Sequence, residues 1–291
     1  MSDYAIRVTA ANGQLRGFAA LTTGLVGELQ RRHHTWPVAS AALGRTATVG
    51  AMMGLMLKSE RDRLTIQIKG DGPLGQIVVD ADAQGHVRGY VDNPAVDLPL
   101  NAAGKLDVAG AVGKGMLYVI KDLGLKEPYR GASPIVSGEL GDDFTYYFTR
   151  SEQIPSAVGV GVLVDRDASI LASGGFIVQV MPGADDAVIT AVEQQLAKIT
   201  SVTELIQQGA GPEDLLQAVL GDTDIEVHQR QPLSFACRCS RERIANVLRG
   251  LGREDLQKLL EEQGQAEVHC HFCNERYVFD RDELTTMIQS L

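Results

Sequence analysis

The chain has 291 residues and a formal net charge of −10, with 44% hydrophobic, 22% charged and 5% aromatic residues. This composition excludes a disordered chain, a collagen and a disulfide-rich miniprotein, and it supplies apolar material for about two domains. The acidic balance argues against a phosphate-backbone binder, no apolar run reaches the roughly 18 residues of a membrane span, and the N-terminus shows no signal-peptide pattern. A cytoplasmic protein with neither nucleic-acid nor membrane partners is expected.

The charge is uneven along the chain. Residues 1–178 are net −1, residues 179–231 hold 2 basic and 9 acidic residues, and residues 232–291 are net −2. Pro182-Gly183 and Pro232 punctuate the middle segment, so three parts are expected, at 1–178, 179–231 and 232–291.

In the first part, residues 22–32 and 40–58 read as helices. The second contains Ala51-Met-Met-Gly-Leu-Met-Leu57, which suits a buried core helix, with a greasy client-binding surface as the alternative. Residues 64–69 alternate as a strand, followed by strands at 76–80 and 86–91 joined by the turn Asp82–Gly85, and by further strands at 144–149, 156–164 and 176–180. The pattern is an α+β body: an antiparallel sheet with packed helices. Gly70-Asp-Gly72-Pro-Leu-Gly75 fits a dinucleotide fingerprint literally. A strand-like Gln76-Ile-Val-Val-Asp80 follows, however, where a helix N-terminus is needed to hold phosphate, so a turn is expected. His33-His34 reads as a helix end and Asp142-Asp143 as a solvated turn. No nucleophile-elbow, zincin or Walker pattern is present.

Residues 185–207 place Val188, Ile189, Val192, Leu196, Ile199, Val202 and Ile206 on one helical stripe. A second short helix opens at Gly211-Pro-Glu-Asp214, buries Leu215, Leu216, Val219 and Leu220, and closes at Gly221. Two such helices make no core alone, and the net −7 adds self-repulsion. This linker is therefore expected to be the least stable part of the chain.

All four cysteines lie in the last part: Cys237, Cys239, Cys270 and Cys273, a C-x-C and a C-x-x-C with 30 residues between them. In a cytosolic chain such paired cysteines read first as metal ligands, and four thiolates make a closed tetrahedral Zn²⁺ site with no position for a catalytic water. The spacer reads as helices at 240–249 and 254–263. A strand at 277–279 and a helix at 281–289 capped by Asp280 follow. So thin a core leans on its metal, which can contribute roughly 10 kcal/mol or more of apparent binding energy. His269 and His271 flank Cys270 as less favoured ligands. The residues alone leave several readings open. An inert structural zinc site is the simplest. A redox switch, in which oxidation consumes all four ligands, is the next. A thiol–disulfide oxidoreductase and a nucleic-acid ribbon are weaker, because neither a βαβ setting nor a basic stripe is visible.

The cysteine pattern resembles that of the heat-shock protein 33 family of redox-regulated bacterial chaperones. The likeness extends to Gly44-Arg-Thr-Ala-Thr48, Gly70-Asp-Gly-Pro-Leu-Gly75, Asp80-Ala-Asp-Ala-Gln-Gly85, Gly89-Tyr-Val-Asp-Asn-Pro94 and Gly131-Ala-Ser-Pro-Ile-Val-Ser137. The resemblance implies an α+β chaperone body, a metastable linker and a zinc module. It implies a non-enzymatic, ATP-independent holdase for unfolding proteins, inactive when reduced with one Zn²⁺ bound. It also implies that oxidation forms Cys237–Cys239 and Cys270–Cys273 disulfides, expels zinc, unfolds the linker and favours a homodimer.

Overall fold

The computed structural model describes residues 2–291. Its contacts divide the chain into two units, 1–236 and 237–291.

The first unit opens with an antiparallel hairpin, β1 (Tyr4–Ala10) and β2 (Leu15–Leu21), then α1 (Thr23–His33) and α2 (Pro37–Gly54). Next come β3 (Arg63–Gly70), β4 (Gln76–Asp82), β5 (His86–Val91), α3 (Val108–Val112), β6 (Gly115–Asp122) and β7 (Tyr129–Pro134). Helix α4 (Gly141–Tyr147) runs into a π-helical turn (Phe148–Glu152) before β8 (Ser156–Val164) and β9 (Ile170–Val180). The acidic segment supplies α5 (Asp186–Leu196), α6 (Val202–Gln207), α7 (Pro212–Leu220) and β10 (Ile225–Pro232), and the two-residue β11 (Ser234–Phe235) follows.

These strands form two sheets, ordered β10-β1-β2-β9-β8 and β11-β5-β4-β3-β6-β7. Helix α2 packs on both, on β4 and β5 of one and on β8 and β9 of the other. Its small residues permit that double approach. A Cβ on Gly44 would come 2.8 Å from Val162 of β8, and one on Gly50 would come 3.0 Å from Val79 of β4. Met52 and Met53 are fully buried, so this helix is core and the client-surface alternative for it fails.

Period-two alternation splits the five-stranded sheet cleanly. Ala5, Phe18, Ala20 and Ile177 face the core around α2, while Ile6, Val8, Leu15, Ala19, Phe176 and Val178 face α5–α7 on the opposite side. The three acidic-segment helices are seated unequally. Helix α7 starts with Pro212, caps the Gly211 N–H with Asp214 and buries Leu215, Leu216, Val219 and Leu220. Of α5 only Val192 is buried, and of α6 nothing is.

Four expectations change. Residues 144–149 are helical, because Phe144, Tyr147 and Phe148 form one buried helical face and the aromatic content only imitates a strand. Asp143 is buried, and it accepts backbone N–H bonds from Val136 (2.7 Å), Ser137 (2.9 Å) and Leu140 (3.0 Å), so it organises the turn instead of lying solvated. The 185–207 stripe is broken. Ser201 accepts the Glu204 N–H at 3.2 Å and starts a new helix after the β-branched pair Ile199-Thr200. Finally, β1, β2, β6, β7 and β10 are strands that the alternation did not single out. The 70–75 glycine segment is a turn between β3 and β4, with Gly75 at φ +68°, and no helix follows it.

Candidate metal centre

The second unit carries α8 (Arg241–Arg249), α9 (Arg253–Gln263), β12 (Ala266–His269), β13 (Arg276–Phe279) and α10 (Arg281–Gln289). Its core is small: Ala245, Leu248, Leu256, Leu260, Ala266, Phe279, Leu284, Met287 and Ile288. Local signals hold the frame. Ser240 caps α8 through the Arg243 N–H, and Asp280 caps α10 through the Glu283 N–H. Arg241 lies 4.4 Å over the Phe279 ring and bonds Glu283 and the Val278 carbonyl, which joins the start of α8 to β13.

The four cysteines meet at one end of this frame. Cys270 and Cys273 sit in the β12–β13 turn, where the Cys270 carbonyl accepts the N–H groups of Cys273 (3.3 Å) and Asn274 (2.7 Å), and the Cys270 N–H returns to Glu275 (3.0 Å). Asn274 takes a left-handed φ of 57°, which Asn tolerates better than most residues, and it closes the knuckle. Cys237 and Cys239 lie on the irregular segment before α8, tied to it by the Arg243 guanidinium on the Arg238 carbonyl at 3.0 Å.

All four Sγ atoms lie within 4.8 Å of one another, with Cys237–Cys270 at 3.7 Å and Cys239–Cys273 at 3.2 Å. Sulfurs bound tetrahedrally to one ion at about 2.3 Å stand about 3.8 Å apart, so the set fits a single soft cation. None of the four is joined in a disulfide. The electrostatics point the same way. Burial is the main cause that pushes the Cys273 thiol strongly up, and it also raises Cys270. Without a cation such a group of sulfurs keeps its protons; a bound divalent ion makes four thiolates tenable. The Tyr277 hydroxyl donates to Cys239 Sγ at 3.2 Å, and that bond chiefly raises Tyr277. It is an outer partner for the sulfur cluster that the cysteine spacing could not announce.

The flanking histidines stand apart from the sulfur cluster. His269 Nε2 lies 2.8 Å from Glu267. Arg276 and then His269 hold the Glu267 carboxyl down to about 2. Among the described residues, no helix is long and apolar enough to cross a membrane.

An α+β body followed by a four-cysteine module is an architecture shared with known chaperones. The Hsp33 protein family model matches residues 3–280. The 33 kDa chaperonin of Geobacillus kaustophilus is 57% identical over 290 residues, covering 99% of this chain and 98% of that protein. That of Bacillus cereus strain B4264 is 55% identical over the whole of both chains. A crystal structure of the 33 kDa chaperonin from Thermotoga maritima superposes with a TM-score of 0.93 at 37% identity, covering 99% of this chain and 98% of that one. The protein is therefore of the chaperone class. In particular, the chain belongs to the Hsp33 family.

Proposed function

We propose that this protein is a redox-regulated, ATP-independent holdase of the cytoplasm, which binds unfolding proteins under oxidative stress and turns over no substrate. Its three working parts are a chaperone body at 1–178, a metastable linker at 179–231 and a zinc switch at 232–291. The observation that carries this reading is the gathering of four sulfurs within 4.8 Å in a module whose own core is only nine residues.

In the reduced form Cys237, Cys239, Cys270 and Cys273 hold one Zn²⁺, which supplies the positive charge that four buried thiolates need. Two equivalents of peroxide remove four electrons from the four thiolates. Two S–S bonds form, Cys237–Cys239 and Cys270–Cys273, four protons are taken up, four waters leave, and Zn²⁺ departs without a ligand set. Every sulfur is within 4.8 Å of its proposed partner, so local chain movement suffices to bring each pair to bonding distance.

With its metal gone the module loses its main stabilisation, and in this reading the linker unfolds with it. Helices α5 and α6, which bury only Val192, are the parts of that linker with least to lose. Their release exposes the β8–β9 face around Phe176 and Gly174 together with their own apolar stripe. That surface holds clients and favours a homodimer.

The test is aggregation of a thermally unfolding client with reduced and with peroxide-treated protein. Suppression only after oxidation, with zinc released, supports the switch. Equal behaviour of both forms removes it. The nearly full burial of Cys273 favours a second reading, an inert structural zinc site. That reading predicts four thiols still titratable after peroxide.

A further inference from the structure

Strand β8 is the last strand of its sheet and pairs only with β9. Its outer edge is covered by α4 at Val158 and open beyond it. The Val158 N–H points outward to Thr145 Oγ1 at 3.0 Å, and the Val158 carbonyl faces outward too, since a Cβ on Gly141 would lie 3.2 Å from it. Alternation then turns the N–H and C=O of Val160 and Val162 outward as well. Among the described residues no backbone or side-chain hydrogen-bond partner meets them. Beyond the turn that α4 covers at Val158, the strand carries no sequence guard against edge pairing. It has no charge and no proline over 156–164, and its bulge comes only at Leu163/Val164.

This edge runs along a groove of about 940 Å³. One rim is the 139–142 turn with the 104–106 loop, and the other is the end of α5 with α6. The groove is narrow enough for a single extended chain, and the 139–142 turn and the 104–106 loop still rim it when α6 departs. Its charge also selects. Arg45 already neutralises Glu139 at 2.7 Å, Asp142, Asp165 and Glu204 remain along the rim against Lys105 and Arg166, and the adjoining 179–231 segment is net −7. An uncharged extended segment with basic flanks suits this mildly acidic rim better than an acidic one.

We infer that the open edge of β8 binds an extended client segment as an added strand, its centre uncharged and β-prone and its flanks carrying Lys or Arg. Such recognition draws affinity from main-chain hydrogen bonds and so tolerates many sequences. It rests on the holdase reading and gives that reading a binding mode. The rim formed by α6 ties access to the linker. Gly161 and Gly174, paired across β8 and β9, are where α6 comes down, since a Cβ would meet Thr203 at 2.8 Å or Ile206 at 2.6 Å. Departure of α6 therefore widens the groove.

The probe is a fluorescent peptide of alternating Val and Thr with two Lys at each end, titrated against oxidised full-length protein. N-methylation of the alternate amides that face the strand is expected to weaken binding at least tenfold. Methylation of the complementary set should change it less than threefold, and exchange of Lys for Glu should weaken it severalfold. Equal loss from both methylated sets, or none from either, overturns the added-strand mode. Val160→Pro removes one outward N–H at an edge where proline is tolerated, and it should lower suppression of client aggregation at unchanged zinc content. Because this variant could fail to fold, the peptide series on the unmodified protein stands as the independent test. If the oxidised protein suppresses aggregation but both peptide sets bind alike, the edge proposal alone fails. If the oxidised protein suppresses no aggregation, the holdase reading fails.

Discussion

The body and the C-terminal module are stabilised by different means. The body buries a full helix, α2, between two sheets, and its core includes Phe18, Phe144, Tyr147 and Phe148 with almost no exposure. The module has nine core residues, of which Phe279 is the only aromatic, and places four sulfurs at one end. Apolar burial scales with area and offers peroxide no thiol, whereas a sulfur cluster can be undone by a change of four electrons.

The largest expected effect comes from removing the metal. Chelation of zinc-loaded protein should abolish amide protection across α8–α10 while β3, β4 and β9 stay protected, read by hydrogen exchange. Cys270→Ser should reproduce this with zinc content well below one per chain. Unchanged zinc in that variant would break the comparison, because the module would then not depend on its fourth ligand.

Within the acidic segment the same contrast recurs at smaller scale. Leu216→Ala on α7 deletes a fully buried side chain that touches Gly17, and should cost about 2–5 kcal/mol in denaturant unfolding of the reduced protein. Val202→Ala on the poorly buried α6 should cost less than about 1 kcal/mol. Equal costs would mean that α6 is as firmly seated as α7. Ser201→Ala removes the cap that starts α6 and should cost about 1 kcal/mol, visible as faster exchange confined to 202–207.

The smallest effect is that of pH. Burial opposes charge on Glu213, but hydrogen bonds from Tyr4 (2.6 Å) and Arg230 (2.9 Å) outweigh it and hold the carboxyl below its ordinary value of 4.5. Burial, then the Glu213 bond, pushes the Tyr4 hydroxyl up to about 12, so it remains the donor. A depressed carboxyl stabilises the fold above the unfolded value, and that contribution is lost as pH falls through the folded one. Acidification below about 4.5 should therefore loosen α7 from β1 and β10. Glu213→Gln should flatten that part of the pH profile, and an unchanged profile would remove the ion pair from the account.

The sulfur cluster was legible in the sequence because metal ligation constrains residue type and spacing directly. The caps Ser240 and Asp280 and the helices beside them were legible for the same local reason. What escaped depends on partners distant in sequence. The strand β10 shows its role only when paired with β1, some 220 residues away. Helix α4 is set by Asp143 reaching back to Val136 and Ser137, so its aromatic run misled a propensity reading. Tyr277 gives no signal of a role beside Cys239 until the fold brings them to 3.2 Å. The open edge of β8 is a property of sheet order, which alternation does not encode.

The most direct test follows zinc release, titratable thiols and amide exchange of residues 186–207 in one peroxide-treated sample. The account predicts one zinc released and four thiols lost per chain, with protection of α5 and α6 collapsing in step. Complete oxidation and loss of zinc with 186–207 still protected would contradict it.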